Sequence, residues 1–151
     1  MSLADAFPDN LRHQSISRQI KPGAVIKLMA RMDDGQIKEK RFVVLAVSSS
    51  TLTCVINSSV NPYIANRDHL MRCQVKIDRA QHAFMAHDSF VDCSRIRTYA
   101  LNDIQTQLNN QPEWLLGEIN HELRTQILSA LKFSPNQPAQ VTACLEALGG
   151  N

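Results

Sequence analysis

Phe42-Val43-Val44-Leu45-Ala46-Val47, inside the longer string KRFVVLAV (residues 40–47), is apolar at every position and rich in β-branched residues. A run this short and this uniformly apolar suits a strand buried on both faces. On its C-terminal side Ser48-Ser49-Ser50 turns the chain. Leu52, Cys54 and Ile56 then alternate with Thr51, Thr53 and Val55, the period-two pattern of another strand. On its N-terminal side Ala24–Ala30 is a further apolar run, introduced by the turn signal Lys21-Pro22-Gly23. Asp33-Asp34-Gly35 separates it from the central run and suits a hairpin loop.

Further along, residues 57–72 carry Asn, Pro, Arg and Asp and read as a long loop, a frequent home for function on a rigid sheet. Cys73, Val75 and Ile77 alternate with Gln74, Lys76 and Asp78 as in a half-buried strand, and a last strand is predicted near Ser89–Tyr99. Several short strands with polar turns point to a sandwich or barrel rather than alternating β-α units. Past residue 119 the period changes. Asn120 can cap a helix showing Leu123, Ile127 and Leu131 on one face, with Pro135 just beyond its end. A second helix is predicted from Pro138, with Val141, Leu145 and Leu148 inward and Gly149-Gly150 at its end. The reading is a mainly β (α+β) chain in three parts: an N-terminal arm or short helix over 1–20, a core domain with a closing helix over 21–133, and an additional C-terminal helix over 134–151.

Of the 151 residues, 44% are hydrophobic, enough for a core, and only 5% are aromatic, so aliphatic residues, Met and Cys must fill it. The net charge of +2 excludes a polybasic tail that would hold nucleic acid by bulk charge, and leaves a local basic groove open. Cys54, Cys73, Cys93 and Cys144 form neither a C-x-x-C pair nor a Cys/His zinc spacing, so buried, reduced thiols and no metal are expected. Met1–Ile20 lacks the apolar run of a secretory leader, and no stretch approaches the ~18 apolar residues of a membrane span, so a cytoplasmic location is expected.

Several strings, in this order, resemble the MazF/PemK toxin family: KPGAVIKL, KRFVVLAV, QVKID, HDSFVDCSRIRTYALNDI and GEINHELRTQILSALKFSP, spanning roughly residues 21 to 133. The resemblance implies an SH3-like small β-barrel with C-terminal helices and a homodimer. It also implies a toxin endoribonuclease that cleaves single-stranded RNA sequence-selectively without a metal or other cofactor, and that a small antitoxin protein neutralises. The alternative is a barrel of the same ancestry that binds RNA or a protein partner without cutting; a purely structural domain is the third class.

Metal-free RNA cleavage needs a base for the ribose 2′-hydroxyl, an acid for the leaving oxygen and cations on the phosphate. By the resemblance, Arg41 stands at the place of the family's catalytic Arg, with Lys38 and Lys40 nearby; otherwise it is a charged strand end beside a turn. Where the family places a Thr or Ser on the phosphate, direct alignment gives Asn57, followed by Ser58 and Ser59. Where some relatives carry an Arg and an acid, Asp92 and Ser94 stand here, and the usual Arg-Pro is Arg41-Phe42.

Arg95 and Arg97, two residues apart, would share one side of a regular strand and could hold neighbouring phosphates, or else pair with Asp88, Asp92 or Asp103. His87 and His69 could move protons near neutrality, or be surface histidines without a task. Asp88-Ser89 lacks an adjacent base to make a nucleophile, and His121-Glu122 is not followed by the second His of a zinc helix, since Thr125 stands there. Tyr63 in the long loop is a candidate for stacking on a base. Trp114, in the run WLL, is expected to pack in the core or in a dimer interface.

Overall fold

The computed structural model describes residues 9–150; the first eight residues of the expected arm, and Asn151, lie outside the described residues. Strands β1 (Ala24–Arg31), β2 (Ile37–Ala46), β3 (Ser50–Asn57), β4 (Gln74–Ile77), β5 (Ser89–Asp92), β6 (Arg97–Ala100) and β7 (Leu115–Glu118) form one curled antiparallel half-barrel. They pair in the order β4-β5-β3-β2-β1-β7, with β6 on the same edge of β3 as β5. Helices α1 (Asp9–Gln19), α2 (Pro62–Ala65), α3 (Asp68–Met71), α4 (Leu101–Asn110), α5 (His121–Phe133) and α6 (Pro138–Gly149) complete a mixed α+β fold. No helix of the described residues is long and apolar enough to cross a membrane.

The central run is apolar throughout because helices cover both faces of the sheet. Val43 and Leu45 join Val25, Cys54 and Ile56 in a core closed by Leu123, Ile127 and Leu131 of α5 and Cys144 and Leu148 of α6. Phe42 and Val44 join Ile26, Leu28 and Val55 in a second core closed by Ile16 of α1 and Ile104 and Leu108 of α4. Alternate side chains of one strand therefore feed two cores. The strand begins at Ile37, earlier than its apolar run, and Val47 lies just outside it, exposed.

The C-terminal helices follow the sequence pattern. The Asn120 side chain accepts from the Leu123 amide (2.8 Å), α5 ends two residues before Pro135, and α6 runs from Pro138. Arg124 of α5 packs against the turn into β1 at Gly23. The Gly23 φ of 95° favours glycine, and a Cβ there would collide with the Arg124 guanidinium, which donates to the Leu148 carbonyl (2.7 Å).

Four features depart from the pattern. A further strand, β7, follows the one predicted to be the last. The predicted strand Ser89–Tyr99 is interrupted: Ile56 pairs Val91 but Thr53 pairs Arg97, so residues 93–96 leave the ladder. That excursion is held from outside, as Asn136 donates to the Cys93 carbonyl (2.9 Å) and accepts from the Ile96 amide (2.8 Å). The long loop contains the two single-turn helices α2 and α3. Helix α4 is not predicted, although Leu101, Ile104 and Leu108 stand at helical spacing; it follows β6 directly, and Ala100 offers no capping side chain. Its Gln107 amide also serves β1 beyond the end of β7, donating to the Met29 carbonyl (3.1 Å) and accepting from the Met29 amide (2.8 Å).

All four cysteines are free and buried. Burial, then the neighbouring Cys93 thiol, pushes Cys144 up to about 12; burial, Cys93 and Asp92 push Cys73 up to about 11. Native protein at neutral pH is therefore expected to resist iodoacetamide and to become fully labelled only after denaturation. Mass spectrometry before and after denaturation reads this directly, and fast labelling of the native protein would contradict the packing.

Candidate functional site

Helices α5 and α6 cover only one end of their sheet face, the end carrying Val25, Val43 and Cys54. At the other end the pairs Lys27–Arg41 and Arg41–Ile56 continue the same face without that cover. An open trough of about 270 Å³ results, with Arg41 and Lys27 on the sheet and Ser58 just beyond β3. Its far wall is Met85, His87 and Ser89, from the segment between β4 and β5 and the start of β5.

Arg41 is half-buried, and no carboxylate pairs with it among the described residues. Lys27 is engaged: its ammonium meets the Glu39 carboxylate at 2.8 Å. His87 Nδ1 lies 2.9 Å from the Asp88 carbonyl oxygen. A carbonyl can only accept, so that contact places the proton on Nδ1 and leaves Nε2 as the basic nitrogen of the neutral ring. Ser89, whose side chain is buried, brings its Oγ to 3.1 Å from the same Nδ1. The strand start thus turns Ser89 toward His87, two residues away in sequence, but toward the protonated nitrogen: Ser89 Oγ accepts from Nδ1 and gains no base there.

The segment carrying His87 is fixed by its two ends. The Asp78 carboxylate accepts from the Gln81 amide (3.1 Å), and the Asp88 carboxylate accepts from the Arg79 amide (2.9 Å) and meets Lys76 at 3.4 Å. Buried His82 ties the segment to α5: Nδ1 is 3.2 Å from the Asp78 carbonyl and Nε2 accepts from the Asn120 amide (3.1 Å). The Arg79 amide, then Lys76 and His87, outweigh desolvation and hold the Asp88 carboxyl below the usual carboxylate range. A carboxyl with a lowered folded pKa contributes order above its unfolded pKa and loses it as pH falls through the folded value. Asp88→Ala is accordingly expected to speed amide exchange at Arg79 at neutral pH, and wild type to show the same loosening on acidification; unchanged exchange in the variant would contradict this role.

The other sequence candidates lie elsewhere. Lys40 and Asn57 belong by alternation to the reverse face, where Lys40 donates to the Asn57 side-chain oxygen (3.0 Å), although Lys40 also reaches the trough rim. Lys38, on the same side as Lys40, lies 3.8 Å from Asp34. Arg95 and Arg97 pair with neither Asp88, Asp92 nor Asp103: both contact Asp33 of the β1–β2 hairpin, at 2.6 and 3.5 Å. Asp92 is buried and turns the chain into the excursion, accepting from the Ser94 amide (3.0 Å) and from Gln74 (2.8 Å).

Tyr63 is exposed on α2 with the Arg67 guanidinium stacked over its ring at 3.6 Å, away from the trough. Ser59 and His69 are exposed and do not line the trough. Trp114 is half-buried against the α1/α4 core. Lys27, Glu39 and Ser89 join Arg41 at the trough without having stood out in the sequence. Lys27 interrupts an apolar run at the register opposite Arg41, the one clue available.

No family model matches this chain, and no curated protein does. Among solved structures it is similar to the Mycobacterium tuberculosis toxin MazF-mt6. The identity is 14% and the TM-score 0.46, over 70% of this chain and 91% of that one. Among the described residues no group of three or more His, Cys, Asp or Glu is placed to hold a metal ion.

Proposed function

We propose that the chain is a metal-independent endoribonuclease acting on single-stranded RNA, with the trough as its active site. The observation that carries the reading is that Arg41, without a carboxylate partner among the described residues, and His87 line one open trough. Arg41 clamps the non-bridging oxygens of the scissile phosphate with its planar fork, and Lys27 adds charge to the developing phosphorane. His87 Nε2 takes the proton of the ribose 2′-hydroxyl, whose oxygen attacks phosphorus; the bond to the 5′-oxygen breaks as that oxygen takes a proton from water, leaving a 2′,3′-cyclic phosphate and a free 5′-hydroxyl. Ser58 donates a hydrogen bond to the phosphate, and buried Ser89 holds the His87 ring through Nδ1; Ser59, one step farther along the turn, is not needed for this.

The reading carries with it the partners that the sequence resemblance implies: a small antitoxin protein, a second copy of the chain, and a cytoplasmic setting. One observation favours the alternative of binding without cutting. Asn57, at the place of the family's phosphate-touching hydroxyl, is turned to the reverse face and engaged by Lys40. The experiment separates the two readings: purified protein is incubated with varied single-stranded RNAs in EDTA, and the 3′ ends are analysed. Cyclic-phosphate ends support the nuclease, whereas retention of intact RNA without cutting supports the binder.

A further inference from the structure

We propose that the pocket walled by Lys38, Lys40 and Arg97 on the reverse face of the sheet is a phosphate-binding site, held in the free protein by the chain's own Asp33 carboxylate. The pocket measures about 290 Å³ and is lined by Met32, Asp33, Asp34, Lys38, Lys40 and Arg97. Arg95 reaches the same Asp33 oxygen from outside. Four cations thus face two carboxylates.

The cations are incompletely matched. Lys38 meets Asp34 only at 3.8 Å, and the Lys40 ammonium has a neutral amide oxygen as its partner, that of Asn57 at 3.0 Å. Burial, then Lys38 and Arg97, depress the Lys40 ammonium below the ordinary lysine value, as expected where positive charge is in excess. Arg97, with a side chain only 13% exposed, touches Asp33 through Nη1 at 3.5 Å. Its Nε is buried without a hydrogen-bond partner among the described residues. A single carboxylate oxygen, Oδ1, serves both arginines, at 2.6 and 3.5 Å. Asp33 therefore engages each planar fork through one nitrogen only, with Tyr99 also beside Arg97, where a phosphate, with more oxygens in a tetrahedral array, could engage the forks bidentately.

Asp33 is well placed to leave. Its side chain is 60% exposed and sits at the hairpin tip, where Gly35 has a φ of 83° and Asp34 accepts from the Gln36 amide (2.9 Å). Arg97 and Arg95, against a desolvation penalty that is the largest single contribution, hold the Asp33 carboxyl below its ordinary value, so it is an anion at neutral pH. An incoming phosphate must displace it. The site is separate from the trough, although Lys40 lines both, and it does not require that the trough cut RNA.

The test titrates inorganic phosphate into wild type, Asp33→Asn and Asp33→Asn/Arg97→Gln at low ionic strength, by calorimetry or amide shifts. Asp33→Asn is expected to bind about tenfold tighter than wild type, because a competing charge at contact distance is removed. Adding Arg97→Gln should abolish the gain. A parallel arm uses a short 2′-O-methyl RNA with hydroxyl ends. Tightening with both probes assigns the pocket to a phosphate of a strand; tightening with inorganic phosphate alone assigns it to a free phosphate. No tightening in either arm, or a gain that survives loss of Arg97, overturns the proposal. Lys40→Gln in the wild-type background is the second variant: weakened phosphate binding is expected, and unchanged binding counts against the site.

Discussion

Arg41→Ala is expected to lower cleavage of single-stranded RNA in EDTA by about a thousandfold while the protein stays folded. The size follows from what the side chain does and does not touch. Its guanidinium has no carboxylate to lose among the described residues, so its removal breaks no ion pair and the β2 ladder keeps its backbone bonds to β1 and β3. What disappears is a charged fork in a groove where Lys27, the other cation on that sheet surface, is already shared with Glu39 at 2.8 Å. Arg41→Lys should recover part of the rate, since a lysine restores charge without the bidentate geometry. Cleavage that persists at the wild-type rate in Arg41→Ala, with an unchanged melting curve, would remove Arg41 from the chemistry.

Phe42→Ala, one residue along the same strand, should act oppositely, on stability rather than on catalysis. Phe42 is fully buried in the α1/α4 core and meets Tyr99 edge to face, with ring centroids 5.3 Å apart. Truncation of such a ring costs about 3–5 kcal/mol in transfer and cavity terms. Against a typical domain stability of ~5–15 kcal/mol, that is a large share of the total. Chemical denaturation should show a midpoint far below wild type, whereas a loss under about 1 kcal/mol would mean that the reverse face is not a tightly packed core. The pair of variants therefore separates neighbouring side chains that point to opposite sides of one strand.

Much of this was legible in the residues. The unbroken apolar run at 42–47 announced cover on both faces, Asn120 and the Leu123-Ile127-Leu131 spacing announced α5, and Lys21-Pro22-Gly23 announced the turn into β1. Other features rest on long-range contacts that leave no local signature. The break in the strand after Asp92 is stabilised by Asn136, more than forty positions downstream in sequence (the Cys93 contact spans 43 residues). Helix α4 does carry helical spacing at Leu101, Ile104 and Leu108, and was passed over because it follows a strand directly, with no turn or capping side chain to announce it.

The site divides in the same way. Arg41, Ser58 and His87 were visible as residue types, and they line one trough. Lys38, Asn57, Arg95 and Arg97 looked equally suitable, yet alternation and Asp33 draw them to the reverse face, because a shift of a single residue along a strand changes the face a side chain serves. Ser89 was passed over because its partnership with His87 depends on how the chain turns into β5.

A nuclear magnetic resonance titration with a non-cleavable 2′-O-methyl single-stranded RNA shows whether a phosphodiester strand lies in the trough against Arg41. The largest shifts are expected at Lys27, Arg41, Ser58, His87 and Ser89, and are lost in Arg41→Ala. Shifts confined to other surfaces, or none at concentrations that saturate basic RNA-binding domains, would contradict that placement of the strand.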